Sequence, residues 1–79
     1  MPDRLQLAPG VRVVLDVMPE EVRRAAAALL MLLLTEPVPH QAVPDPEIKN
    51  GYRIDASLVT VFYGVWPDEI RVFLIRQNT

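Results

Sequence analysis

Cysteine is absent from this sequence, which excludes a disulfide framework and every thiolate-based site, nucleophile or metal ligand alike. Histidine occurs once, at position 40, and a lone imidazole without cysteine leaves no ligand set for structural zinc. No cofactor and no metal is expected. Positive charge is also scarce: eight Lys and Arg stand against ten Asp and Glu, net −2, so no global field draws in nucleic acid. A long hydrophobic span is missing too. The longest unbroken apolar run, Ala25–Leu34, has ten residues, whereas a membrane-spanning helix needs roughly 17–25. It lies mid-chain behind Arg23 and Arg24, unlike the apolar stretch of a signal peptide. The expectation is a cytoplasmic protein with no membrane contact.

What is present describes a folded α/β (α+β) globule. Residues 1–79 suffice for one domain, and the 51% hydrophobic and 23% charged content is that of a packed chain rather than a disordered one. A chain this short buries only about 60% of the surface its unfolded form exposes, so its core is thin and leans on a partner. The charge is unevenly spread. Residues 1–48 are net −3, whereas residues 49–79 carry Lys49, Arg53, Arg71 and Arg76 against Asp55, Asp68 and Glu69, net +1. The C-terminal part is therefore the better surface for a polyanion.

Residues 1–10, with Pro2, Pro9 and Gly10, read as an N-terminal arm ending in a turn. Val11–Val17 alternates, with Val11, Val13, Leu15 and Val17 on one face, and predicts a strand. A helix is predicted from Pro19 to about Thr35: proline suits a first helical position, Glu20 and Glu21 face the positive end of the dipole, and Pro37 stops it. Within it Val22, Ala26, Leu29, Leu30 and Leu33 form one stripe, but Ala27, Met31 and Leu34 lie outside that stripe. A helix apolar all round is buried on more than one side, so self-association or a covering partner is expected. Residues 36–51 form a proline-rich loop. Three antiparallel strands follow, in Tyr52–Ala56, Leu58–Val65 and Ile70–Arg76, with Pro67-Asp68 as the last turn. That turn predicts Val65 opposite Ile70, Tyr63 opposite Val72 and Val61 opposite Leu74, all facing the helix. Thr60, Phe62, Arg71, Phe73 and Ile75 then lie on the other side.

The chemistry-bearing residues gather in this C-terminal part. Arg53, Arg71 and Arg76 with Tyr52 and Tyr63 are the residue types that RNA cleavage uses: a cation for the developing phosphorane charge and a proton donor for the leaving oxygen. Taken alone, they read better as solvated strand arginines and as tyrosines that pack with a wet tip. Phe62 and Phe73 fit either stacked bases or a protein interface, and the everyday alternative is a small second core under the loop. Trp66 near the hairpin tip is a candidate interface anchor or a cover for the sheet edge. His40, alone in a proline-rich segment, reads as a surface residue. Glu20-Glu21 and Asp68-Glu69 fit a helix start and a hairpin turn.

The order strand, helix, proline-containing connection and strands, with Tyr52-Arg53-Ile54, Val61-Phe62-Tyr63-Gly64-Val65 and Val72-Phe73-Leu74-Ile75-Arg76, resembles the RelE/ParE toxin superfamily from about Val11 to Arg76. The stretch from Pro19 to Glu36-Pro37 is similar to that family's helix before its central loop. The resemblance implies a toxin of a type II toxin–antitoxin pair, bound by an antitoxin protein and, in the RelE branch, cleaving mRNA at the ribosome. It implies that Arg53 and Arg76 carry phosphate and transition-state charge, with Tyr52 or Tyr63 near the reacting group. Phe62, Trp66, Arg71 and Phe73 are then partner-binding. The chain departs from the pattern where Asp55 replaces the next alternate basic residue, where Val59-Thr60 replaces Tyr-Arg, and in the Gln77-Asn78-Thr79 tail. The helical hairpin reads as one helix. Two other readings stand beside the nuclease: a catalytically inert or ParE-like protein-binding module, and an unrelated small homo-oligomeric α/β protein.

Overall fold

The computed structural model of the chain describes residues 4–78. The first three residues of the expected arm and Thr79 of the tail lie outside the described residues. Seven elements follow one another: β1 (Arg4–Leu7), α1 (Pro9–Val17), α2 (Glu20–Thr35), β2 (Ala42–Pro44), β3 (Gly51–Asp55), β4 (Val59–Val65) and β5 (Glu69–Gln77). The strands form one five-stranded sheet in the order β1-β5-β4-β3-β2. Strand β1 runs parallel to β5 and every other neighbouring pair is antiparallel. The α/β class is as the sequence indicates, but the sheet has five strands rather than three, and two helices cover it rather than one.

The strand expected at Val11–Val17 is the helix α1. Its residues satisfy two periods at once. Alternation puts Val11, Val13, Leu15 and Val17 together, yet Val11, Val14, Leu15 and Met18 also stand at the i, i+3, i+4, i+7 spacing of a helix. The helical set is the one that turns inward: Val11 and Met18 are buried and Val14 and Leu15 pack against the core. Val13 and Val17 are left 63% and 77% exposed. Pro9, read as part of a turn, occupies the first turn of the helix, where its missing N–H costs nothing. Packing has overridden the strand propensity of the four valines.

Helix α2 begins one residue later than expected, with Pro19 as its N-cap, and keeps Glu20 and Glu21 in its first turn. Glu20 accepts from Arg24 one turn on at 3.0 Å, an exposed pair worth about 0.3–0.5 kcal/mol. The predicted stripe of Val22, Ala26, Leu29, Leu30 and Leu33 is the buried face. Ala27 and Met31 are exposed, Met31 at 66%. The apolar content of this helix thus exceeds what the sheet covers.

The segment 1–10 holds β1, whose Arg4-Leu5-Gln6-Leu7 alternation turns both leucines toward the core. The loop 36–51 holds β2, an edge strand that tolerates Pro44 because one side of it pairs with nothing. Between β2 and β3 the chain turns through Asn50, which has φ 56°, and through Gly51, where a Cβ would lie 2.2 Å from Ile48 Cβ.

The β4–β5 hairpin keeps two of its three expected pairs, Val65 with Ile70 and Tyr63 with Val72. The third fails: Val61 faces Ile75, not Leu74. A β-bulge leaves Phe73 as an extra residue, so the inward and outward sets exchange beyond it. Ile75 is buried at 2% exposure, while Leu74 is 48% exposed and stands opposite Phe62. The core lies between the helices and the face carrying Ile54, Val59, Val61, Tyr63, Ile70, Val72 and Ile75.

Leu33 has no exposed surface, so Leu33→Ala removes buried methyl groups from the centre of the α2 interface. It is expected to cost about 2–5 kcal/mol, read as a lower urea midpoint with an unchanged slope. Met31→Ala, on the uncovered side of the same helix, should stay within about 0.5 kcal/mol of the parent.

Candidate functional site

With both helices on one side, the other side of the sheet faces solvent. Register fixes its occupants. Arg53 pairs with Phe62 and Val43, Asp55 with Thr60, and Thr60 with Arg76. Gln6 pairs with Arg71, and Arg71 with Gly64. Side chains paired in this way point to one face, so Arg53, Phe62, Arg71 and Arg76 share the open face, and Arg4 and Gln6 extend it across β1. Of the residues that the sequence places on this side, Thr60, Phe62, Arg71 and Phe73 are there and Ile75 is not. Arg76 joins them only because of the bulge.

Three aromatic rings give this face its relief. Trp66 folds back over Gly64: a Cβ at that glycine would meet the indole at 2.5 and 2.7 Å and Phe73 at 3.2 Å. The indole meets Phe73 edge-on at 6.4 Å between centroids, and the Arg71 guanidinium lies over the indole at 4.8 Å. Arg76 stands over the Phe62 ring at 5.6 Å. Guanidinium over an aromatic face is a favourable pairing that also holds the cation in one place. Trp66 is therefore part of the floor of this face, not a free anchor at the hairpin tip.

Carboxylates hold two of the arginines. Arg53 Nε is 3.3 Å from Asp55 Oδ2, and Arg71 Nε donates to Glu69 Oε2. Asp55 also accepts from the Thr60 hydroxyl at 2.7 Å, and that hydroxyl lies 3.0 Å from Asn78 Oδ1, while Asn78 Nδ2 donates to the Ala56 carbonyl at 2.9 Å. Asp55 is thus built into the end of the β3–β4 hairpin. Among the described residues Arg76 has no ion-pair partner.

The two tyrosines stand apart from these cations. Tyr52 and Tyr63 pair across β3 and β4 with their rings stacked at 5.8 Å, on the helix side. Tyr63 is fully buried and its hydroxyl donates to the Pro37 carbonyl at 2.8 Å. Burial, with the Tyr52 phenol adding to it, pushes the Tyr63 hydroxyl up to about 12 from its ordinary 10.0. A phenol so placed is a structural tie between sheet and loop. The family resemblance implies a place for it near the reacting group, but the alternation along β4 that already sets it toward the helix holds, on the opposite face from Phe62.

The open face also includes a cavity of about 400 Å³ at its β1–β5 end, lined by Arg4, Gln6, Glu69, Arg71 and Phe73 among others. Arg4, Gln6 and Glu69 were not singled out from sequence as site residues. The four-residue alternation of β1 was the signal that could have placed the first two.

Sequence comparison finds no matching protein-family model and no matching curated protein. Comparison of folds does find relatives. The chain superposes on a chain of the RelBE2 toxin–antitoxin complex of Mycobacterium tuberculosis with a TM-score of 0.83 at 13% identity, covering 99% of this chain and 100% of that one. It superposes on a chain of the archaeal RelE–RelB complex of Pyrococcus horikoshii with a TM-score of 0.78 at 23% identity, covering 98% and 96%. A chain of the RelB–RelE complex of Methanococcus jannaschii gives 0.71 at 15% identity, covering 91% and 88%. The fold is that of RelE-like toxins over essentially the whole chain.

Tyr63 carries a pH dependence that can be measured. Its pKa is raised in the folded state, so its contribution to stability is whole below the unfolded value near 10 and is lost as pH rises toward about 12. In that window the native state holds more protons than the unfolded state, and stability falls with pH. Urea midpoints of the parent should drop between pH about 10 and about 12, and Tyr63→Phe should flatten that drop.

Proposed function

We propose that this chain is the toxin of a type II toxin–antitoxin pair, works in the cytoplasm, and presents its open sheet face to RNA at the ribosome. The observation that carries this reading is the whole-chain RelE-like fold combined with a solvent-facing sheet that holds Arg71 against Trp66 and Arg76 against Phe62, with Arg53 on the same face. Cations fixed on aromatic rings suit a single-stranded polyanion, whose phosphates pair with guanidinium while its bases find flat surface to stack on. In RNA cleavage the 2′-hydroxyl gives its proton to water as its oxygen attacks the adjacent phosphorus, the 5′-oxygen departs and takes a proton from water, and a 2′,3′-cyclic phosphate is left; negative charge builds on the phosphoryl oxygens on the way. Arg76 and Arg53 are the groups assigned to that charge. The tyrosines are given no part in the chemistry.

The partner in this proposal is a small antitoxin chain. The structural neighbours are RelE–RelB complexes, and this chain leaves apolar surface of the kind such a partner covers, at Val13, Val17 and Met31 on the helices and Leu74 on the sheet.

A second reading has its own support. Asp55 and Glu69 already neutralise Arg53 and Arg71, which weakens the field that a phosphate would meet. A catalytically inert, protein-binding relative would have such a self-compensated face.

Induced expression separates the two. The toxin reading expects growth arrest, relief on co-expression of the cognate antitoxin, and cut ribosome-bound mRNA. Arg76→Ala should lower cleavage by about 100–1000-fold with the circular dichroism spectrum unchanged. Growth arrest with intact mRNA that Phe62→Ala relieves and Arg76→Ala does not would favour the binding module. No arrest and no cleavage by the parent would sink the toxin reading.

A further inference from the structure

The cavity at the β1–β5 end of the open face has a carboxylate set into its wall. Asp55, a carboxylate elsewhere on that face, is 54% exposed and accepts from Thr60 as well as facing Arg53; Glu69 is held more deeply. Glu69 has only 10% of its side chain exposed. Its Oε2 accepts from Arg71 Nε, and among the described residues its Oε1 accepts no hydrogen bond. No buried side-chain oxygen or nitrogen lacks a partner among those residues, so the remaining exposed surface of Glu69 is what opens on the cavity it lines. Arg71 is held from two sides, by Glu69 and by the Trp66 indole 4.8 Å away. Arg4 is the β1 neighbour of Glu69, and Gln6 that of Arg71. Phe73, pushed out by the bulge, is 41% exposed and completes the wall.

We infer that this cavity is a guanine-binding site. Guanine carries two adjacent donors on its pairing edge, N1–H and the N2 amine, and two acceptors, O6 and N7, on the neighbouring edge. A carboxylate accepts from both donors, since its two oxygens offer about four lone-pair directions and Arg71 uses only one. An arginine fork matches O6 and N7. The exposed Phe73 ring supplies a stacking surface, and the remaining arginine takes an attached phosphate. Adenine presents a bare N1 acceptor where guanine has N1–H, so Glu69 would face a lone pair and reject it. The cavity volume falls within the roughly 300–1,000 Å³ of small-ligand sites. The ligand is either a free guanine nucleotide or a guanosine within single-stranded RNA. Only the RNA case rests on the proposed toxin function.

Trp66 is the sole tryptophan of the chain and carries Arg71 on its ring, so its fluorescence reports occupancy of the cavity. Titration of the whole chain with 5′-GMP, IMP and AMP is expected to give saturable quenching. GMP should bind about 10-fold or more tighter than AMP, and IMP, which lacks the N2 amine, should fall between them. Glu69→Gln should bring GMP and AMP to within about threefold, because an amide offers one acceptor instead of two oxygens. Should that variant fail to fold by circular dichroism, the three nucleotides on the native chain decide alone. The trinucleotides UGU and UAU separate the sources: preference for UGU assigns the site to RNA, and GMP binding without it assigns the site to the free nucleotide. Absence of saturable quenching by any nucleotide, or GMP and AMP affinities within about twofold, would overturn the inference. Guanine selectivity without growth arrest leaves the site standing and removes the toxin reading; arrest without selectivity does the reverse.

Discussion

One extra residue in β5, Phe73, decides which side chains the open face displays. Arg71 and Arg76 are five positions apart, and in an unbroken strand two residues at an odd separation point to opposite faces. Left in plain alternation, Arg76 would be driven toward the helices, where an unpaired guanidinium costs far more than any packing gain. The bulge at Phe73 resolves the conflict. It brings Arg76 out opposite Thr60, sends Ile75 in opposite Val61, and leaves Phe73 itself free to meet Trp66 and wall the β1–β5 cavity. Bulges cost a ladder bond and gain a re-aimed side chain; here several side chains are re-aimed at once.

The helix side supplies the stability that makes such a displacement tolerable. Val11 and Met18 from α1, the Val22–Leu33 stripe of α2 and the inward strand residues make one apolar cluster. Tyr63 ties this cluster to the chain beyond α2 through its bond to Pro37, so the end of the helix, the proline-rich connection and the middle of β4 are fixed to one another. Removing a phenol from water is unfavourable unless its hydroxyl is satisfied, and the Pro37 carbonyl satisfies it. The residue that looked like a proton donor in the motif is thereby spent on architecture. The open face is left to arginines, rings and the two carboxylates that pair with Arg53 and Arg71.

Long, consistent signals were legible in the sequence. The α2 stripe was readable because five apolar residues repeat at helical spacing in a run without Gly or Pro, and the hairpin register was readable near its turn, where Pro67-Asp68 fixes the count. The errors share a physical origin. Val11–Val17 fits periods of 2 and 3.6 equally, and the choice is made by whether the segment meets a sheet edge or a sheet face, which is tertiary information. Strand β1 is four residues long and pairs with a strand some 65 positions away, so its short alternation carries no sign of where it pairs. The bulge leaves no mark in composition, and every side chain beyond it was therefore assigned to the wrong face. In the site, the sides expected for Phe62, Arg71 and Phe73 hold because none of them lies beyond the bulge in β5. Arg76 was selected by resemblance although its alternation pointed the other way. Glu69 was read as turn chemistry, since a buried carboxylate is recognisable only once its neighbours are known.

The ion pairs on the open face bear on how it would meet an anion. Arg53 and Asp55 are each roughly half exposed, and an exposed pair of this kind is worth about 0–1 kcal/mol. A phosphate arriving at Arg53 therefore displaces little and gains a charge-assisted bond, with Thr60 remaining as a donor to hold Asp55 in place. Glu69 and Arg71 differ, because the carboxylate is mostly buried and leaving it without its cation is costly. That pair is expected to stay closed when a ligand binds. At the opposite end of the same sheet Arg53 is the exchangeable cation, its carboxylate partner half exposed, while Arg76 stands over the Phe62 ring with no ion-pair partner among the described residues. A chain of net charge −2 thus still gathers cations on one face, with a mostly buried carboxylate–guanidinium pair at one end and Arg53 and Arg76 at the other.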